Sequence, residues 1–366
     1  MSIVVKRYAH DTLTQFVEKQ GFQVTRHYFA DQLPGDTAWK AEFAIPDKSG
    51  KALPAIGFNS EMDALPGIGH ACGHNLIAIV GVAAALGLKS AMEKHNIPGK
   101  IILLGTPAEE KGLGKLDPGF TNSNKHKLRA HPVPGDSRLV ETTTSLAMHT
   151  LGLPRGREKT HWMPCLLPTQ QLVLYVSRYT PLLGSTGLLK GVIGHQTASE
   201  PPFIPNYAKM RYAVRAPTWD EVTALRARVN KCFEAGAHAT SCTMTMTGKG
   251  SMKDVRVNEV LSSELGAIMA GRYNHPFNHG GVFPASTDFG NVTYALPALH
   301  PIFAIPTVPN GGNHTPEFTA AARTQEAHER AIMASKGLAT LGLRALLDEQ
   351  FLLTVKNHFK DAALPS

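Results

Sequence analysis

Apolar and polar positions along the chain repeat with two periods. In residues 11–20, Leu13, Phe16 and Val17 share a helical face, Asp11 can cap it and Gly21 ends it. Residues 22–28 and 38–45 alternate like strands. Residues 55–62 read as a buried strand. Residues 75–94 are apolar around most of a helical circumference, which predicts a helix packed inside a domain; Asn96 and Pro98 stop it. Residues 100–105 contain Ile101-Ile102-Leu103-Leu104, the continuous run expected of a central parallel strand. Strand, helix, strand predicts one βαβ unit.

Residues 111–138 are rich in Gly, Pro, Asn and Lys and predict a long loop. A short apolar strand over 144–148 ends at His149. Pro201, Pro202 and Pro205 mark another loop. A helix over 219–239 places Val222, Leu225, Val229, Cys232 and Phe233 on one side. A strand is expected over 240–248, a helix over 257–273, a strand over 301–308, a glycine-rich turn over 310–318 and a final helix over 326–348. The middle of the chain reads separately from its flanks. The expected organisation is therefore one discontinuous domain, 1–153 plus 263–366, interrupted by a second, 154–262.

Composition narrows the class. The chain has 366 residues, 43% hydrophobic and 18% charged, enough for two domains with cores. The net charge of +8 comes from scattered residues, with one cluster at Lys125, His126, Lys127 and Arg129. With no nucleic-acid-binding motif, a basic surface is expected rather than a nucleic-acid partner. Cys72, Cys165, Cys232 and Cys242 are far apart and read as reduced thiols. No signal core and no uninterrupted apolar run of about 18 residues is seen, so the expectation is a cytoplasmic protein without a membrane partner.

The chemistry concentrates at predicted strand ends. Residues 60–75 (SEMDALPGIGHACGHN) hold Asp63, Cys72 and His74 after the 55–62 strand. Glu109-Glu110 follow the next strand, His149 follows the 144–148 strand, and His314 follows the 301–308 strand. Strand ends converge on one rim of an α/β sheet. Cys, His and carboxylate donors together suit zinc or a similar divalent ion. Adjacent side chains diverge, so one Glu of the pair could bind metal while the other handles the proton of a water. His70 reads as structural.

These segments, together with Gly105–Glu110, Ala285-Ser286-Thr287-Asp288-Phe289-Gly290-Asn291-Val292 and residues 313–318, resemble the family M-twenty metallopeptidases, in the branch of N-acyl-amino-acid amidohydrolases and dipeptidases. The resemblance spans about 11–115, 140–153 and 191–348. It implies an α/β fold: a dinuclear-metal, aminopeptidase-like catalytic domain interrupted by a shortened α+β, ferredoxin-like lid that forms a homodimer. It implies metal ligands at Cys72, His74, Glu110, His149 and His314, with Glu109 as general base and Asp63 as a supporting acidic residue of the catalytic set. Ser286, Thr287, Asp288, Gly311, Gly312 and Asn313 are expected to bind substrate. The implied cofactor is two divalent ions per chain, zinc or else manganese or cobalt. The implied substrate is a dipeptide or N-acyl amino acid, cleaved by a metal-activated water.

The chain departs from the family's pattern in the loop after the Glu pair and in the lid, among other places. The glycine-rich run after the Glu pair is reduced to Lys111-Gly112-Leu113-Gly114-Lys115, and the lid's histidine motif has no counterpart in residues 160–168, where His161 is no substitute. This leaves a rival expectation, a metal-binding pseudoenzyme acting as a binding or partner subunit.

Overall fold

The computed structural model describes residues 2–28, 37–111, 115, 142–147, 190–195, 207–214, 216, 218–239, 243–247, 252–275 and 287–362. It divides into two compact units, residues 1–130 with 255–366, and residues 131–254.

The first unit opens with α1 (Ser2–Lys19), longer than the amphipathic pattern alone implies. Neither Gly nor Pro interrupts it before Gly21, which takes φ 82°. Strands β1 (Gln23–Arg26), β2 (Trp39–Ile45) and β3 (Ala55–Glu61) follow, then α2 (His74–His95) and β4 (Gly99–Thr106). The sheet order is β1-β2-β4-β3. β3 and β4 are parallel, which bears out the βαβ reading, while β2 is antiparallel to β4 and β1 to β2. β4 is thus central in a mixed sheet.

By length and composition α2 could cross a membrane. Its apolarity has a simpler cause: Ala78, Val82, Ala85, Leu88 and Met92 pack with Trp39, Ile101 and Leu103 in the main core. Leu76 and Val80 pack against Ala327 and Ala331, one turn apart on a later helix. Close approach is enforced by glycine. A Cβ on Gly81 would overlap the Asn59 carbonyl and the Ser60 hydroxyl of β3. A Cβ on Gly105 would run into the indole of Trp39, whose Nε1–H donates to Met62 Sδ at 3.3 Å.

The second unit contains β5 (Thr142–Ala147), β6 (Lys190–His195), β7 (Tyr207–Ala213), α3 (Trp219–Ala239) and β8 (Thr243–Thr247). Its sheet runs β6-β7-β5-β8, with every pairing antiparallel. This is an inserted α+β unit. α3 has the expected bounds and a reciprocal cap: Thr218 Oγ1 accepts from Glu221 N–H, and Glu221 Oε2 accepts from Thr218 N–H at 3.0 Å. The structure places the first boundary earlier than residue 153. β5 pairs with β7 and β8, so the strand leading to His149 belongs to the inserted unit.

The chain returns to the first unit through α4 (Glu259–Tyr273), α5 (Phe289–Thr293), α6 (Pro316–Ala321), α7 (Gln325–Leu347) and α8 (Glu349–Ala362). Residues 301–308 form no strand, contrary to their apolar pattern. Pro301 and Pro306 bring no N–H to a ladder. Instead Phe303 and Ile305 pack against the Leu76 and Ala327 cluster. α8 extends the chain beyond the last helix expected from the sequence; the Asp348 carboxylate that ends α7 accepts from Phe351 N–H at 2.9 Å and starts α8.

Candidate metal centre

β3 and β4 end level with each other, Ser60 beside Gly105 and Glu61 beside Thr106. The segments that leave them therefore emerge at one edge of the sheet. Past β3, a loop returns through the Leu65–Gly69 bridge to α2. Gly73, at φ 85°, turns the chain into that helix, so His74 is its first residue. Past β4, Ala108 sits at φ 68°, a strained conformation for an alanine. Asp63 holds it there. Its carboxylate accepts from Ala108 N–H at 2.7 Å and from Glu110 N–H at 3.1 Å. His70 Nδ1 lies 2.8 Å from the Asp63 carbonyl oxygen, a structural contact as expected.

His314 reaches the same place from the glycine-rich turn, without the strand expected before it. Its N–H donates to the Ala71 carbonyl at 2.8 Å, with φ 68°. Two more bonds tie these distant segments: Thr319 Oγ1–H to Ile68 O at 2.7 Å, and Asn75 Nδ2–H to Ala322 O at 2.8 Å.

Two groups of donors result. Atoms of Cys72, Glu110 and His314 lie within 4.8 Å of one another, as do those of Glu61, His74 and Glu109. The groups adjoin, because His74 Nδ1 is 3.9 Å from Glu110 Oε1. His74 Nε2 is 3.3 Å from Glu61 Oε2 and 3.6 Å from Glu109 Oε2. His314 Nε2 is 3.8 Å from Glu110 Oε2. His314 is exposed, whereas Glu61, His74 and Glu109 are buried. His149 lies outside the described residues.

The electrostatics separate the carboxylates. Burial alone would raise Glu61, but Lys115, His74 and His300 outweigh it and hold it at about 2. Glu109 is pushed up to about 8 by burial and by the nearby Glu61 charge. Burial, then Glu110 and Glu109, push the Cys72 thiol well above its ordinary value. Burial lowers His300 and His70.

A divalent cation fits these residues. His74 Nδ1 and Glu110 Oε1 are both buried without a hydrogen-bond partner, yet they face each other. With a carboxylate facing Nε2, the ring proton belongs there and Nδ1 presents a lone pair. Two lone pairs aimed together in a buried site call for a cation between them. Thiolate, imidazole and carboxylate are the donors that zinc-like ions take.

The expected substrate-binding residues fare differently. Asp288 is fully buried, and its carboxylate is occupied by Lys115, both by its N–H at 2.9 Å and by its ammonium. It is a structural anion rather than a pocket lining. Thr287 Oγ1 accepts from Phe289 N–H at 3.2 Å. Gly311 is buried in its turn, Gly312 and Asn313 are exposed, and Asn313 Nδ2 lies 3.9 Å from Cys72 Sγ. Ser286 lies outside the described residues. Sequence reasoning missed Glu61 and Lys115. Glu61, a carboxylate ending a buried strand, carried a usable signal; Lys115 lies in the run that departs from the family pattern.

Residues 57–324 match the model of the peptidase family M20/M25/M40. The chain belongs to that family. It is accordingly a hydrolase of peptide or amide bonds. It is 33% identical to human Xaa-Arg dipeptidase, over 97% of this chain and 85% of that protein. It is 23% identical to one of the subunits of p-aminobenzoyl-glutamate hydrolase from Escherichia coli, over 94% of this chain and 86% of that protein. Among solved structures, the M20 dinuclear metal-binding peptidase YXEP of Bacillus subtilis superposes with a TM-score of 0.60 at 17% identity, covering 92% of this chain and 91% of that one. The two chains share a fold.

Proposed function

We propose that this M20 hydrolase cleaves the amide bond of a dipeptide or N-acyl amino acid beside a free carboxylate, using two divalent ions and no covalent intermediate. The observation that carries the reading is the facing pair of partnerless acceptors, His74 Nδ1 and Glu110 Oε1, with Glu109 beside them. Cys72, Glu110 and His314 would hold one ion, and His74 would join Glu110 in holding the other. When bound, the ions supply Lewis acidity to the amide carbonyl and to a water.

Glu109 is the proposed base. It takes a proton from the attacking water, holds it as a buried carboxylic acid, and hands it to the departing amine. Its raised affinity for a proton suits the holding step. Asp63 cannot share this role, because backbone N–H groups engage its carboxylate; it keeps Glu109 and Glu110 aimed. The names of the two relatives favour dipeptides and aminobenzoyl-glutamate-like amides, and the dipeptidase makes a basic carboxyl-terminal residue the first to test.

The test joins metal content by mass spectrometry to an amine-release assay over dipeptides and N-acyl amino acids. Two ions per chain, with turnover that disappears in Glu109→Gln, is the expected result. A chain that binds no metal would sink the reading.

A further inference from the structure

Lys115 is 1% exposed and sits among acidic groups that the proposed chemistry leaves unused. Its ammonium is 2.8 Å from Glu61 Oε1 and pairs with Asp288 Oδ1, while its N–H donates to Asp288 Oδ2 at 2.9 Å. Asp288 immediately precedes α5, so Lys115 links that helix to the end of β3. Asn59 Nδ2 also donates to Glu61 Oε1, at 3.2 Å. The two oxygens of Glu61 are thereby divided: Oε1 is taken by Lys115 and Asn59, and Oε2 is turned to His74 Nε2.

We propose that Lys115 is a positioning residue, which fixes the Glu61 carboxylate against His74 Nε2 and so selects the ring tautomer whose Nδ1 can bind metal. The inference rests on the metal-site reading above. A buried cluster of one cation and two carboxylates is a poor source of stability, since apolar replacements of similar volume are often neutral or better. Its geometry suits a different end. A carboxylate behind a ligating imidazole orients the ring and raises its basicity, and loss of such a partner weakens metal binding by about 10- to 100-fold. Lys115 stands one step further back. It also supplies the positive charge that Glu61 needs, so Glu61 is a support for His74 rather than a ligand, although it lies within ligand distance of His74 and Glu109.

The test titrates cobalt(II) into the full-length metal-free protein against a competing chelator, following its visible absorption and metal stoichiometry. Lys115→Met is expected to weaken one of the two sites by about 10- to 100-fold, with partial recovery in Lys115→Arg. Because Lys115→Met leaves two buried carboxylates unbalanced, Lys115→Met with Asp288→Leu removes the pair together and keeps the comparison valid if the single variant fails to fold. It should show the same weakened site. Wild-type affinity in the double variant, or a change confined to melting temperature, overturns the role of Lys115 while the metal reading stands. A wild-type chain that takes up no cobalt overturns both.

Discussion

Asp63 reaches across from the end of β3 to accept the backbone N–H of Glu110 at 3.1 Å, beyond the end of β4. The same carboxylate accepts from Ala108 N–H, so one side chain satisfies a buried and a partly buried donor of the turn that carries both glutamates. Asp63→Ala would leave both donors unpaired. The expected cost is about 2–4 kcal/mol by chemical denaturation, with turnover lower by about 100-fold as the Glu pair loses its aim. Turnover unchanged in a folded variant would mean that the turn holds itself.

Glu109 and Glu61 give the metal-free protein opposite pH dependences. Glu109 binds its proton more tightly folded than unfolded, about 8 against 4.5, so its contribution is complete below pH 4.5 and is lost as pH rises towards 8. Glu61, held at about 2, contributes above pH 4.5 and loses that contribution as pH falls towards 2. Glu109→Gln imitates the protonated acid at every pH. In the presence of chelator it should be more stable than wild type at pH 8, by about 4 kcal/mol, and close to it near pH 4.5. Melting curves across that range decide the matter; a constant offset would contradict the raised affinity.

Cys72 is a neutral thiol in the metal-free protein, because burial and the adjacent glutamates oppose its ionisation. As a ligand it must be a thiolate, so metal uptake should release about one proton from this residue. Calorimetry in buffers of different ionisation enthalpy counts it. Cys72→Ser should lower the count and weaken binding, and wild-type affinity should rise with pH through the neutral range. Identical proton release in the variant would remove Cys72 from the ligand set.

Gly81 sets how closely α2 lies on β3. In Gly81→Ala the new methyl meets the Asn59 carbonyl and the Ser60 hydroxyl, and neither is the free end of a flexible chain. Overpacking of this kind should cost about 1–3 kcal/mol and shift His74, at the start of α2, away from Glu61. Loss of stability together with weaker metal binding is expected; a stable variant with unaltered binding would show that the helix can slide without disturbing its first residue.

The parts of the site that were legible in the sequence are those built by neighbours in the chain. Residues 60–75 and 105–110 announce a strand, a turn and donors in one short span, because β3, α2 and β4 form a local βαβ unit. The helix over 219–239 was equally plain, with its period and cap both local. What could not be read depends on distant partners. Residues 301–308 have a strand's apolarity, yet prolines deny them a ladder and they serve as packing for α2. The strand before His149 reads alike in either unit; only its antiparallel partners, β7 and β8, assign it. Asp288 looks like a pocket residue until Lys115, 173 positions earlier, is placed against it.

The bonds from His314, Thr319 and Ala322 back to Ala71, Ile68 and Asn75 also fix an order of events during synthesis. The thiol, imidazole and carboxylates of residues 61–110 leave the ribosome long before His314 does. The whole inserted unit must be made before that second wall arrives. An ion met early would find a half-built cradle, open on the side that His314 later closes. The Cys72, Glu110 and His314 group is therefore complete only once the segment carrying His314 has been made and has closed over the first βαβ unit.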